Sequence, residues 1–418
     1  MKRTLMAFAL TTSLAVLAFS QSAYIAPTAA GYDKWLLSTT VDVKDASGNA
    51  IKTPDGVPLQ AALVKVVDSA TPGAKKVALY TIKNSKGMTV SITNYGAKIE
   101  QIMVPDRKGV FSDVVLGYET IDKAVIGQGS FGSFVGRYAN RLANGKFSLD
   151  GANYQIGLNE SKPGGFNTLH GGVLGTRFMV YDAKQLDDSD VEMYYTFKDG
   201  EEGFPGVLAL RVLYTVTENN ELVVDYQSYA ATKNTVANFT SHSFFNLSGD
   251  LGSEILDHVI TINASRFLPY DSRAIPNGKL ASVAGTPMDF RAGSTFAARI
   301  NADFDQLKFG GGYDHYWVLD KRQPRGFELA ASAYSPKSGR FMEVFTTEPG
   351  IQVHSGNNLA GQKPRDEGKG SLFIFRSGFN METSRYPDSP NESDFPTTVV
   401  KKGEWYTGRT MYRFSVKN

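Results

Sequence analysis

The 418-residue chain contains no cysteine, which excludes thiolate nucleophiles, disulfides and cysteine-ligated zinc or iron–sulfur sites. It also lacks a charge excess. Its 44 Lys and Arg and 42 Asp and Glu are spread along the chain, so no basic face for nucleic acid is implied. Helical periodicity is nearly absent. Long apolar runs are missing with one exception, at the N-terminus, where Lys2 and Arg3 precede the run Leu5–Phe19 and the small and polar residues Ser20, Gln21, Ser22 and Ala23 follow it. That run falls short of the ~20 apolar residues of a membrane helix. It reads as a secretory signal peptide over residues 1–23, so the mature protein is expected to be soluble and exported to periplasm or medium, with no membrane contact after cleavage.

What the chain does have is strands and turns. Residues 24–76 carry turn signals ("DASGN" 45–49, "TPDG" 53–56) between short apolar runs and read as an N-terminal extension of unknown role, with one hairpin. From Val77 onward, alternating apolar stretches are separated by turns such as "NSKG" (84–87), "DRKG" (106–109) and "PNGK" (276–279). In "GKFSLDGANYQIG" (145–157) the Asp150–Gly151 pair suits a tight hairpin turn, with Phe147/Leu149 and Tyr154/Ile156 alternating on its arms. "LALRVLYTVTENNELVVDYQSYA" (208–230) repeats the pattern around Asn219–Asn220. With 26 Phe, 20 Tyr and 41 Gly, the expected class is all-β: one large antiparallel β-sandwich over residues 77–418.

Five histidines occur, at 170, 242, 258, 315 and 354, and none has the spacing of a local metal site. No metal is expected. "FTSHSFFNLSG" (239–249) sets His242 among hydroxyls and phenylalanines. "FVGRYANRLANGKF" (134–147) places Arg137, Asn140 and Arg141 together, and an arginine fork beside an amide suits adjacent sugar hydroxyls; surface salt bridges are the plainer use. "NTLHGG" (167–172) puts His170 before two glycines, either for close approach of backbone to a ligand or as a simple turn. "GGGYDHYWVL" (310–319) joins a flexible loop, Asp314, His315 and aromatics, suited to stacking on and gripping a pyranose. Glu382, in "GFNMETSRYPDSPN" (378–391), follows apolar residues. It is either paired with an arginine such as Arg376 or Arg385, or held as a base.

These segments, with "NYGAKIEQIMVPDRKG" (94–109), "DVVLGY" (113–118), "TTEPGIQVHSGN" (346–357) and "FPTTVVKKGEWYTGRTMYRF" (395–414), resemble in collinear order the aldose 1-epimerase family, the galactose mutarotases. The resemblance implies a large β-sandwich and interconversion of the anomers of free aldohexoses such as galactose and glucose, with no cofactor. It matches Glu382 to the catalytic base and His242 to the catalytic acid. Asn140, Arg141, His170, Asp314 and Gln352 match positions that bind sugar hydroxyls, while Arg137, His315 and Asn246 match supporting ones. The carboxylate is then expected to be ionised and the imidazole protonated near neutral pH. Phe244 and Ser384 depart from the tyrosine and glutamine that family members often carry at these places, which bears on sugar preference.

Rival functions are a hexose-6-phosphate epimerase, which export disfavours, and a non-catalytic sugar-binding module, which would have no use for a matched proton donor and acceptor. A polysaccharide lyase or hydrolase would need an extended cleft.

Overall fold

A computed structural model describes residues 23–127, 130–361 and 364–418. The expected leader therefore lies, but for Ala23, outside the described residues. Among those residues, no helix is long and apolar enough to cross a membrane.

Two antiparallel sheets dominate. A nine-stranded sheet runs in the order Asp182–Gln185, Asp190–Phe197, Leu208–Val216, Glu221–Ala230, Trp405–Val416, Arg340–Thr346, Glu328–Tyr334, Val259–Ile262 and Ser294–Thr295. Its central members, Leu208–Val216 and Glu221–Ala230, alternate buried with half-buried residues along their whole length. That period of two buries one face and leaves the other against solvent. The connecting turn holds Asn220 at φ 57°, and Asp150 and Gly151 at φ 53° and 78° close the 146–155 hairpin, as their residue types predict.

A six-stranded sheet runs in the order Phe244–Phe245, Phe379–Ser384, Gly350–His354, Asp314–Val318, Arg266–Leu268 and Ala281–Ser282. Phe379–Ser384 is buried at every position, so both of its faces are covered. One face contributes Phe379, Met381, Ile351, Val353 and Trp317 to the main apolar core, together with Leu210, Val212 and Tyr412 from the large sheet. The antiparallel sandwich read from the sequence is what forms.

Residues 23–76 pack onto this body. Trp35–Asp42 pairs with Gln60–Val67 and Lys75–Lys76 in a small sheet. Its apolar face brings Leu36, Ala62 and Val64, with Tyr32 from the turn before it, into one cluster with Tyr95, Leu116, Tyr118, Phe131 and Phe244. Polar ties accompany the packing: the Tyr32 hydroxyl donates to the Tyr118 carbonyl (2.8 Å), Ser38 Oγ to the Phe178 carbonyl (2.7 Å) and Tyr24 to the Asp113 carboxylate (2.9 Å).

Candidate active site

Strand register builds the site. Asp314 pairs with His354 and His354 with Asn380; Tyr316 pairs with Gln352 and Gln352 with Glu382. Side chains alternate faces, so Asp314, Gln352, His354, Asn380 and Glu382 project together from the face opposite the core residues Ile351, Val353 and Met381. Phe244 pairs with Asn380 and joins the same face. These residues, with Asn140, Arg141, His170 and His242, line one polar cleft.

At its centre, His242 Nε2 lies 3.3 Å from Glu382 Oε1. The imidazole packs edge-on against His170 at 5.0 Å between ring centres and, tilted by 46°, against Phe244 at 5.4 Å. Its backbone is fixed by the N–H donating to the Ser133 carbonyl (2.9 Å) and by its own carbonyl accepting from Gly132 (3.0 Å).

Burial governs the charges. It pushes the Glu382 carboxyl well above its ordinary range, reinforced by the negative Asp314 nearby. It pushes the His242 imidazole down to about 3. Both shifts disfavour a separated ion pair in the cleft and move the shared proton towards Glu382. This differs from the ionised carboxylate and protonated imidazole expected from sequence, because the residue types alone carry no information on desolvation. Asp314 behaves oppositely: burial would raise it, but His354, Arg141 and the Gln352 amide (Nε2 to Oδ1, 2.7 Å) outweigh that and hold it at about 2. A fixed negative charge therefore stands beside the pair.

His170 occupies a left-handed conformation (φ 55°), as does Asn140 (φ 62°). The two are locked together, since the His170 N–H donates to the Asn140 carbonyl (3.0 Å) and the Asn140 N–H donates to His170 Nδ1 (3.2 Å). Accepting at Nδ1 leaves the proton of the neutral ring on Nε2, and burial followed by the nearby His242 keeps that ring neutral. His354 is fixed in the same way, its Nδ1 accepting from the Gly356 N–H (3.0 Å). Both rings are thus donors at Nε2. The glycine after His170 is obligatory: a Cβ on Gly171 would stand 1.9 Å from the Gly136 carbonyl oxygen.

Arg141 reaches the cleft on a buried fork, with Nε and Nη2 each 2.8 Å from a different oxygen of Glu160. It is not a surface salt bridge. Arg137, by contrast, is absorbed by the core, donating to the Gly206 carbonyl (2.8 Å) between the rings of Phe197 and Phe204. His315 stacks flat on Tyr270 (4.4 Å) and does not line the cleft. Asn246 ties three carbonyls, those of Asp250, Ser253 and Ser377.

All seven residues matched from sequence to catalysis or sugar binding therefore line the cleft: Glu382, His242, Asn140, Arg141, His170, Asp314 and Gln352. Sequence reasoning missed His354, Asn380, Asn358 and Leu169, which line it too. The first two were within reach, since each sits two residues from a chosen one on a strand and so on the same face. A further grouping was not legible: His170, His242 and Glu382 bring three ligand atoms within 4.8 Å of one another, close enough for a divalent cation.

What the cleft can do chemically is pass a proton between a carboxyl and an imidazole while neutral donors and a carboxylate grip hydroxyls around them. Relatives share the surrounding fold. A family model described as aldose 1-epimerase matches residues 78–413. The galactose mutarotase of Bos taurus is 38% identical over 344 residues, covering 82% of this chain and 96% of that protein. The aldose 1-epimerase of Escherichia coli K12 is 32% identical over 345 residues, with the same coverage. Among solved structures, an aldose epimerase homologue from C. elegans superposes with a TM-score of 0.71 at 26% identity, covering 82% of this chain and all of that one. Galactose 1-epimerase from Lactobacillus acidophilus has the same fold, with a TM-score of 0.71 over 92% of this chain. A match over most of the sequence, carried by this sandwich, makes the chain a member of the aldose 1-epimerase family.

Proposed function

We propose that the protein interconverts the α and β anomers of free aldohexoses such as galactose and glucose, with Glu382 and His242 as its two proton carriers. The observation that carries this reading is the 3.3 Å approach of His242 Nε2 to Glu382 Oε1 at the centre of a polar cleft. Ionised Glu382 takes the proton of the C1 hydroxyl as protonated His242 gives one to the ring oxygen, and the C1–ring-oxygen bond breaks. The site now holds protonated Glu382 and neutral His242, the arrangement that burial favours. Rotation about C1–C2 turns the other aldehyde face inward. His242 then removes the proton from the former ring oxygen as that oxygen attacks C1, and Glu382 returns its proton to O1. The net proton count is unchanged and no redox step occurs.

Asp314 and Gln352, bonded to each other, and Arg141, fixed by Glu160, accept from and donate to the sugar hydroxyls. The Nε2–H groups of neutral His170 and His354 add donors. Arg141 is already matched by a carboxylate, which argues against a phosphorylated sugar in this cleft.

The enzyme works outside the cytoplasm in this reading, released by cleavage of the 1–23 leader. N-terminal sequencing of protein recovered from the periplasm and medium of an expressing bacterium tests this; an intact Met1 in the cytoplasmic fraction overturns it.

The activity is tested by following the optical rotation of fresh α-D-glucose and α-D-galactose. Wild-type protein should accelerate the decay and Glu382→Gln should not. Folded protein that accelerates neither sugar would shift the reading to a binding module.

A further inference from the structure

A second cleft, of about 400 Å³, shares no lining residue with the catalytic one. Its volume falls in the range of about 300–1,000 Å³ common to small-molecule sites. Four cations line it: Arg266, Lys321, Arg325 and Arg385. Among the described residues, none of the four has a carboxylate within salt-bridge distance, whereas the nearby Arg322 and Arg409 are paired with Glu328 and Asp225. Cations gathered in excess of counter-charge repel one another, so an arrangement of this kind leaves an anion to be supplied.

The one carboxylate in the lining, Glu348, lies within electrostatic reach of Arg385, Arg325 and Lys321 and can offset only one of the four charges. Glu348 is buried and turned onto two phenols, accepting from Tyr226 (2.7 Å) and Tyr406 (3.0 Å). Burial pushes its carboxyl up, towards the neutral form.

The cations are instead held by neutral groups. Lys321 Nζ donates to the carbonyls of Gly326 (2.7 Å) and Thr346 (2.5 Å), which leaves one of its three N–H bonds over. Arg325 Nη2 is anchored on Thr407. The Arg385 guanidinium lies 3.7 Å from the centre of the Tyr406 ring, and its Nη1 is buried with no acceptor. Positions are fixed while four cations face a single carboxylate, which is preorganisation for a ligand. Val318, Leu319, Pro324, Pro349 and Pro396 supply apolar surface beside the charges.

We propose that this cleft binds a small organic anion, a carboxylate or phosphate group carried on a ring-sized apolar body, with Lys321 and Arg385 at the floor and the exposed Arg266 and Arg325 at the rim. The anionic group sits among the cations and the apolar body lies against the valine, leucine and proline side chains of the lining.

Isothermal titration of the full mature chain at low salt tests this, with phenyl phosphate, benzoate and the uncharged benzyl alcohol as probes. Three proteins serve: wild type, Arg266→Gln/Arg325→Gln, whose changes are on exposed side chains, and Glu382→Gln. Saturable binding of at least one anion is expected, with no binding of benzyl alcohol; the tighter anion tells phosphate from carboxylate. The double variant should weaken it about tenfold or more, as should raising the salt to about 1 M. Glu382→Gln and added galactose should leave it unchanged. The proposal is overturned if neither anion binds below about 10 mM. It is equally overturned if the double variant binds as well as wild type, or if galactose displaces the probe.

Discussion

His242 Nε2 stands 3.3 Å from Glu382 Oε1, with both side chains nearly sealed from solvent. Two titratable groups this close, in so dry a place, share one proton, and in the proposed mechanism its two positions correspond to the closed-ring and open-chain ends of the reaction. The relationship gives the first expectation. Glu382→Gln and His242→Asn each keep the size of the side chain and remove one proton carrier. Each should lower kcat by ~10²–10⁴-fold, the usual worth of a positioned acid or base, with the circular dichroism spectrum unchanged. A loss below tenfold in either variant would remove that residue from the proton path.

The pH profile should depart from that of an ordinary histidine acid. An isolated imidazole loses its proton near pH 6.5, and activity would fall across that value. Here burial lowers His242 to about 3 and raises Glu382, so the pair takes up a second proton only in strong acid. It gives up its last proton only above the raised Glu382 value, well beyond the ordinary carboxyl range. The sign follows: kcat/KM should stay level as pH falls through about 6.5 and 5, dropping only in stronger acid, and its alkaline limb should belong to Glu382. Polarimetry in a constant-ionic-strength buffer series checks this, and a descending limb centred near pH 6.5 would contradict the shared proton.

Much of this was legible in the sequence, and the exceptions have physical reasons. Alternation in 208–230 and the Asp150–Gly151 turn announced antiparallel strands because the period of two and positive φ are local properties. His354 and Asn380 were missed although they follow from the same period, since they sit two residues from Gln352 and Glu382. Cross-strand facts were out of reach. Nothing local in "FVGRYANRLANGKF" tells Arg141, forked to Glu160 beside the cleft, from Arg137, buried between Phe197 and Phe204; only the family resemblance separated them. Charge state was out of reach for the same reason, because desolvation belongs to the assembled cleft.

The His170, His242 and Glu382 cluster predicts inhibition by zinc. Two imidazoles and a carboxylate with ligand atoms inside 4.8 Å offer three of the four ligands zinc commonly takes. Occupation would tie up both proton carriers. Zinc at about 100 µM should suppress mutarotation, with EDTA restoring it. EDTA added to untreated enzyme should leave the rate unchanged, because the acid–base pair is complete without a metal. Loss of activity in that second arm would reverse the interpretation.

The segment before Val77 should matter to the site through packing. Tyr32 is fully buried, its hydroxyl bonded to the Tyr118 carbonyl, in the cluster that also holds Phe244. Phe244 in turn packs on His242 and His354. Removing the Tyr32 ring leaves a cavity and an unsatisfied carbonyl, so Tyr32→Ala should cost about 3–5 kcal/mol in urea unfolding. Tyr32→Phe, losing only the hydrogen bond, should cost about 1 kcal/mol. Equal effects from the two would place the weight on the hydroxyl.

The Arg141–Glu160 fork allows sugar binding to be separated from stability. Both side chains are about nine-tenths buried, and Glu160 also accepts from Asn167 Nδ2 (3.1 Å) with Lys162 at 3.7 Å. Arg141→Leu leaves the Glu160 carboxylate with only these weaker partners, and breaking a buried pair typically costs about 3–5 kcal/mol. Lys162 should hold the loss to the lower end. Arg141→Leu/Glu160→Leu removes both desolvation penalties and should regain most of the urea midpoint. It cannot regain the guanidinium in the cleft, so KM for galactose should stay raised in both variants. If KM recovered along with the midpoint, Arg141 would be a structural residue and the sugar would be held by the remaining donors alone.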